Sequence, residues 1–340
     1  MMRKIWPLDP ATYVRHPLHD GDRAWNESNC YVDLWIELLH TAGFEPLAAL
    51  PFTFAVDVEG DQWTFFKFPL ADLNALYGVD VIELQIWRPI TAHLEEQLAI
   101  GRPALVEVDG FYLPDTAGTS YQTEHIKTTI GIQALDLAAR RAGYFHNAGY
   151  YELGGSDFMG VFRLQGHLTD PDYLPPYVEV AKRGIRPGLG PTPRSSLSDR
   201  ALVDASLELL GAHLARAPLV NPFDRYATRF RADVDSLAGG PLAQFHRYAF
   251  ATLRQCGAAF ELGGAYLRWL QANGEHGLEP VAMACDVIAT TAKTLEFKVA
   301  RSVTTSRPFD PAPMLATMAT AWHETMTALT ARYGALVHHG

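Results

Sequence analysis

Three polar residues, far apart in the chain, have the types and local settings that thiol chemistry requires. Cys30 stands in "NESNCYVDLWIELLH", where the apolar residues Tyr31, Leu34, Trp35, Leu38 and Leu39 recur at helical spacing. Asn29 is a good N-cap, so Cys30 falls at the first helical position, where unpaired N–H groups and the positive end of the helix dipole favour a thiolate. His125 stands in "YQTEHIKTTIGI" at the start of a predicted strand, a setting that holds its ring rigidly. Asn147 follows in "GYFHNAGYY" at the end of the next strand segment. Antiparallel pairing of those two segments brings their opposite ends together. A thiolate, a histidine that exchanges its proton and a third polar side chain that orients the imidazole are the parts of cysteine nucleophilic catalysis. Each residue also has a plainer reading, as a small buried thiol, a satisfied strand-end histidine or an asparagine turn. It is their order and placement together that point to catalysis.

The elements that must position these residues read as mixed helix and strand over residues 26 to 165. The helix from Cys30 stops at "TAGFEP", where Gly43 and Pro46 end it. Two β-prone runs flank an acidic glycine turn in "FTFAVDVEGDQWTFFKF", and "LADLNALYG" and "ITAHLEEQLAIG" are helical. "RPALVEVDGFYL", "HIKTTIGIQALDL" and "RAGYFHNAGYYEL" are strands. Glu107 and Asp109 share one face of the first of these and suit an ammonium group, a solvated face or a structural hydrogen bond. Tyr112 and Asp115 lie on the loop that leads towards His125 and suit either substrate contact or turn formation. Periodicity disappears at "KRGIRPGLGPTPRSS", which predicts a linker over 182–196. Beyond it the apolar spacing predicts about five helices, over 198–216, 222–237, 242–270, 279–303 and 312–333. The expected organisation is an α+β domain over 1–181, the linker, and an all-α helical bundle over 197–340.

Composition narrows the function. A chain of 340 residues that is 48% apolar can bury large cores and is long enough for about two domains. A formal charge of −10 without any Lys/Arg-rich stretch argues against nucleic acid and anionic membranes and leaves small molecules or another protein as partners. No signal-peptide core and no membrane-length apolar run is present, so the expected location is cytoplasmic. Cys30, Cys256 and Cys285 are too few and too widely spaced for a disulfide framework and suit a reducing compartment. No CxxC or HExxH occurs, which gives a metal site no support. The other histidines show no setting comparable to that of His125, and His213, His246 and His323 read as packing or surface residues within helices. Gly154-Gly155 and "GLGP" lack the strand–glycine–helix context of a phosphate site.

The run "GRPALVEVDGFYLPDTAGTSYQTEHIKTTIGI", followed by an aromatic strand ending in a polar residue, resembles the papain-like, C39-peptidase-like cysteine enzymes. It is most similar to the butirosin-biosynthesis type carrier-protein acyltransferases, with their valine–aspartate strand, Tyr-Leu-Pro, variable loop, histidine and hydrophobic strand. The resemblance covers residues from about 20 to 165. The whole chain also resembles an uncharacterised bacterial family of unknown function whose genes tend to lie near stand-alone amino acid:carrier-protein ligases. Carried over, the resemblance implies a papain-like fold with Cys30 as nucleophile, His125 as base and Asn147 as orienting residue, with His146 beside it as the alternative. Ala24 stands six residues before Cys30, where such enzymes commonly carry a glutamine, so Asn26 and Asn29 are the oxyanion candidates. The acyltransferase branch usually has aspartate in the third position, whereas Asn147 is the papain-like choice. Asp109, Tyr112 and Asp115 are the substrate-binding candidates.

The implied activity is cysteine-dependent transfer of an aminoacyl group from a carrier-protein thioester to an amine. Phosphopantetheine would then be carried by the partner, an aminoacylated acyl carrier protein, and no cofactor or metal belongs to the chain itself. A cysteine peptidase or amidase would use the same residues, and a non-catalytic carrier-protein or peptide-binding module would use none of them. Because carrier proteins are acidic, docking needs a basic patch, and Arg225, Arg229, Arg231, Arg247 and Arg254 are the candidates.

Overall fold

In the computed structural model, which describes residues 2–164, 177–183, 199–237, 239–305 and 309–338, the alternating and apolar runs of the N-terminal half form a sheet. The elements in chain order are β1 (Arg3–Lys4), α1 (Cys30–Thr41), β2 (Val58–Glu59), β3 (Gln62–Trp63), α2 (Leu70–Tyr77), β4 (Val79–Glu83) and α3 (Ile90–Ala99). There follow β5 (Ala104–Asp109), β6 (Lys127–Asp136), β7 (Arg141–His146), β8 (Gly149–Gly154), α4 (Gly155–Val161) and β9 (Tyr177–Arg183). The sheet order is β4-β9-β5-β6-β7-β8, with every pair antiparallel, and β1 pairs with the far end of β6 through Arg3↔Leu135 and Lys4↔Ala134. The helical remainder is α5 (Asp199–Leu214), α6 (Pro222–Leu237), α7 (Leu242–Ala251), α8 (Leu253–Ala272), α9 (Glu279–Thr305) and α10 (Ala312–Tyr333).

The chain divides into two units. The first is Met1–Asp20, Asn29–Pro46 and Leu73–Ser196; the second is Gly21–Ser28, Leu47–Asp72 and Leu197–Gly340. The α+β and all-α layout expected from sequence is present, but the division is not a single cut at the linker. Segments from the N-terminal half join the second unit because their apolar side chains are buried there. Phe54 packs against Phe260 and Tyr266, Trp63 packs against Phe223 and Tyr226, and the Trp25 indole donates to the Ala289 carbonyl at 3.1 Å. The expected linker begins inside β9, which runs to Arg183, and its remainder lies outside the described residues. The helix expected over 242–270 is two helices, because Thr252 at φ −123° and ψ −83° breaks the run. Its hydroxyl donates back to the Tyr248 carbonyl at 2.7 Å, the local competition by which threonine disturbs helices.

Both faces of the sheet in the first unit are covered. Ile130 and Ile132 of β6 belong, with Ile90, Leu94 and Leu98 of α3 and Phe158 and Val161 of α4, to one buried core. On the opposite face Gly131 sits under α1, where a Cβ would stand 2.9 Å from Leu34 Cδ1 and 3.6 Å from Phe145 Cβ. Helix α1 therefore lies close to β6 because residue 131 has no side chain. Gly131→Val is expected to destabilise the protein by about 1–3 kcal/mol, the usual cost of overpacking, read as a lower urea midpoint at unchanged m-value.

Helix α1 is held along its length by buried polar groups. Glu37 accepts from the Tyr13 hydroxyl at 2.5 Å and from the His16 N–H at 3.0 Å, and His19 lies between Glu37 (Nδ1, 2.5 Å) and Asp33 (Nε2, 3.3 Å). Burial alone would lower the His19 pKa, but the hydrogen bonds and charges of Asp33 and Glu37 outweigh it and the net shift is upward. Among the described residues no helix is long and apolar enough to cross a membrane.

Candidate functional site

The sequence around Cys30 folds locally as its residue types dictate. The Asn29 side chain accepts from the Val32 N–H at 2.9 Å, its carbonyl accepts from the Asp33 N–H at 3.1 Å, and Cys30 is the first residue of α1. Leu34 rests on Gly131, and Tyr13, which meets Glu37 and Thr41 further along the helix, lies against Tyr150, whose hydroxyl accepts from Gln133. Leu34, one turn beyond Cys30, thus packs over the middle of β6.

His125 is held from two sides. Its Nδ1 is 2.6 Å from Asp109 Oδ2, and its ring stacks on Phe111 with centroids 4.4 Å apart and planes 10° from parallel. The Asp109 side chain is 0% exposed against 18% for His125, so the carboxylate is internal and the imidazole reaches the surface. Asp109 Oδ1 also accepts from the Phe111 N–H at 3.0 Å, so one carboxylate fixes both the ring and the aromatic plane beneath it. Tyr112 lies edge-on to His125, centroids 6.5 Å apart, and packs over Gly160, where a Cβ would collide with its ring. With Nδ1 bonded to a carboxylate, the basic position of a neutral His125 ring is Nε2.

Several expectations need correction. The contact expected between His125 and Asn147 is made instead by Asp109, whose Oδ2 lies at His125 Nδ1. Asn147 instead turns the β7–β8 hairpin, at φ 46° between the paired residues His146 and Gly149. Asp109 is consequently an internal carboxylate and not a substrate-facing one. Asp115 is likewise spent inside the protein: its Oδ1 accepts from Tyr144 and its Oδ2 from His146 Nδ1, both at 2.5 Å, and its side chain is 3% exposed. Of the three substrate-binding candidates, Tyr112 lies edge-on to the His125 ring. Asn29 serves as the helix cap, and Asn26 is exposed on the segment Gly21–Ser28 of the second unit.

His125 is also not alone in its setting. His146 pairs with Asp115, His19 with Glu37 and Asp33, and His213 Nε2 with Asp72 at 2.6 Å. Composition held no signal for these pairs because their partners are up to 141 residues away. Asp109 did carry one: it ends the strand that pairs with the strand His125 precedes, through Asp109↔Lys127.

Of the docking arginines, Arg225 donates to Asp57 and to the Val58 carbonyl, and Arg254 donates to Glu27, which removes both from an open basic face. Among the described residues no group of three or more His, Cys, Asp or Glu side chains is placed to hold a metal ion.

Of the three free thiols, Cys256 and Cys285 are fully buried and Cys30 is half-buried. Burial pushes the Cys256 thiol pKa up and that of Cys285 up to about 12. Iodoacetamide at neutral pH is therefore expected to label Cys30 at least tenfold faster than the other two, by the order-of-magnitude link between thiolate fraction and rate. Peptide mapping after timed quenching reads this, and equal slow labelling of all three would make Cys30 an ordinary inert thiol.

A model of the DUF1839 N-terminal domain matches residues 14–183, and a model of the DUF1839 C-terminal domain matches residues 199–331. A comparison with curated proteins returns no match.

Proposed function

The chain belongs to the two-domain DUF1839 family, and for this member we propose cysteine-dependent acyl transfer on a papain-like first domain, with Cys30 as nucleophile, His125 as base and Asp109 as orienting carboxylate. The observation that carries the reading is the His125–Asp109 bond of 2.6 Å, in which a buried carboxylate holds a partly exposed imidazole in the same unit as Cys30. Aspartate is also the usual third residue of the carrier-protein acyltransferases that the sequence resembles.

In this mechanism His125 Nε2 takes the Cys30 proton and the thiolate attacks the carbonyl carbon of an acyl thioester. The tetrahedral oxyanion is met by the backbone N–H of Cys30 at the first position of α1, where the helix dipole adds to the hydrogen bond. Collapse expels the donor thiol, which leaves with the proton held on His125, and Cys30 keeps the acyl group. An amine then attacks the acyl-enzyme and gives its proton to His125, and the Cys30 thiolate departs and is reprotonated. Asp109 stabilises the imidazolium that forms twice. Phe111 stacks on the ring and Tyr112 lies edge-on to it.

The test is intact-protein mass spectrometry after mixing the protein with aminoacylated carrier proteins. The expected result is an adduct on Cys30 that added amines discharge with formation of amide. Cleavage of peptides without any carrier would replace transfer by hydrolysis. Complex formation with neither adduct nor cleavage would leave a binding module.

A further inference from the structure

A second imidazole–carboxylate pair lies beside the first, and acyl transfer as drawn does not use it. His146 Nδ1 bonds Asp115 Oδ2 at 2.5 Å, its Nε2 meets the Thr128 hydroxyl at 2.8 Å, and the Tyr144 hydroxyl fills Asp115 Oδ1. The His146 and Asp115 side chains are 2% and 3% exposed, which excludes them from substrate contact. Both carboxylate oxygens and both ring nitrogens have partners, the condition under which a buried polar network rigidifies its surroundings.

What it rigidifies is the loop from Asp109 to His125. Asp115 sits at the middle of that loop, and His146 and Tyr144 are on β7. Thr116, the next residue, donates its hydroxyl to the Gly110 carbonyl at 3.2 Å, which places the tether one residue from both Asp109 and Phe111. On the other side Thr128 is on β6, three residues beyond His125. The loop is closed at its base by Gly110 N–H to Ile126 carbonyl at 2.8 Å and by Gln122 N–H to Phe111 carbonyl at 2.9 Å. The network therefore reaches both arms that hold the His125 ring, the carboxylate arm through Asp115 and Thr116 and the strand arm through Thr128. We infer that Asp115, His146, Tyr144 and Thr128 are positioning residues that hold Asp109 and Phe111 against the His125 imidazole. The consequence for rate rests on the acyl-transfer reading, whereas the positioning itself does not.

The test reads His125 directly, by NMR titration of its ring in the full chain. Asp115→Asn and His146→Gln are expected to lower the His125 titration midpoint by about half a pH unit or more, because a loosened Asp109 stabilises the imidazolium less. Asp109→Asn sets the full size of the effect. Tyr144→Phe and Thr128→Val each remove one hydrogen bond at nearly constant shape and should shift the midpoint in the same direction by less. They decide the matter if the first pair does not fold. Folded variants whose midpoints stay within about 0.1 unit of the parent overturn the proposal, since positioning without any change at His125 has no content. The readout involves no acyl donor, so failure of acyl transfer and failure of positioning are separate results.

Discussion

Asp109→Asn is expected to lower the proposed acyl transfer by about 10²–10⁴-fold in kcat while leaving the protein folded, whereas Asn147→Ala should stay within about threefold of the parent. The amide is isosteric with the carboxylate, so the 2.6 Å contact to His125 Nδ1 survives in shape and loses its charge. The imidazolium formed at each proton transfer is then unsupported, and an amide that donates to Nδ1 holds the ring in the wrong tautomer, with the proton on Nε2. Cys30→Ala and His125→Ala should each cost about 10³-fold or more. The double variant should be little worse than either, because groups that act as one unit are not additive. Single-turnover discharge of an aminoacyl carrier protein measures all five proteins. If Asn147→Ala were the damaging change and Asp109→Asn the harmless one, the assignment of the orienting residue would revert to Asn147 and the proposed mechanism would lose its third member.

Glu37→Ala is expected to cost about 3–5 kcal/mol of stability, the range for removing one partner of a buried ion pair. Glu37 receives Tyr13, the His16 N–H and His19, so its loss leaves three donors without their acceptor beside a buried imidazole. The same cluster makes stability depend on pH with a definite sign. The folded-state pKa of His19 is raised above its ordinary value of 6.5. Its contribution is therefore fully present below that ordinary pKa and is lost as pH rises through the folded-state pKa. Urea unfolding on both sides of this window should show a lower midpoint at the alkaline end, and His19→Gln should flatten the difference. An unchanged difference in His19→Gln would assign the pH dependence to other groups.

Local rules made part of this protein legible in its sequence. The cap at Asn29 and the start of α1 at Cys30 depend on residues within three positions of each other, and both follow from side-chain type alone. The bounds of α6 at 222–237 and of α10 at 312–333 follow from apolar spacing and flanking prolines. His125 as the polar residue before β6 was visible for the same reason. Even locally a rule could be masked: the small and apolar residues on either side of Thr252 keep helical spacing across a break that its backbone conformation makes.

The tertiary structure decided which polar group meets which. On sequence grounds Asn147, and not Asp109, was the expected partner of His125. The register Asp109↔Lys127 brings the end of β5 to the histidine, whereas the two-residue turn after His146 uses Asn147 to reverse the chain. Asp115 looked open to substrate until β7 placed His146 and Tyr144 on its two oxygens. Arg225 looked like part of a docking face until Asp57 and Val58 claimed it. The physical reason is common to these cases. Helix caps and amphipathic stripes are set by neighbours a few residues away, but a buried carboxylate takes whatever donor the strand register and loop path bring to it, and desolvation makes that pairing obligatory. The sequence by itself determined where the thiol and the imidazole stand in their elements; only the fold decided that an aspartate, and not an asparagine, stands behind the imidazole.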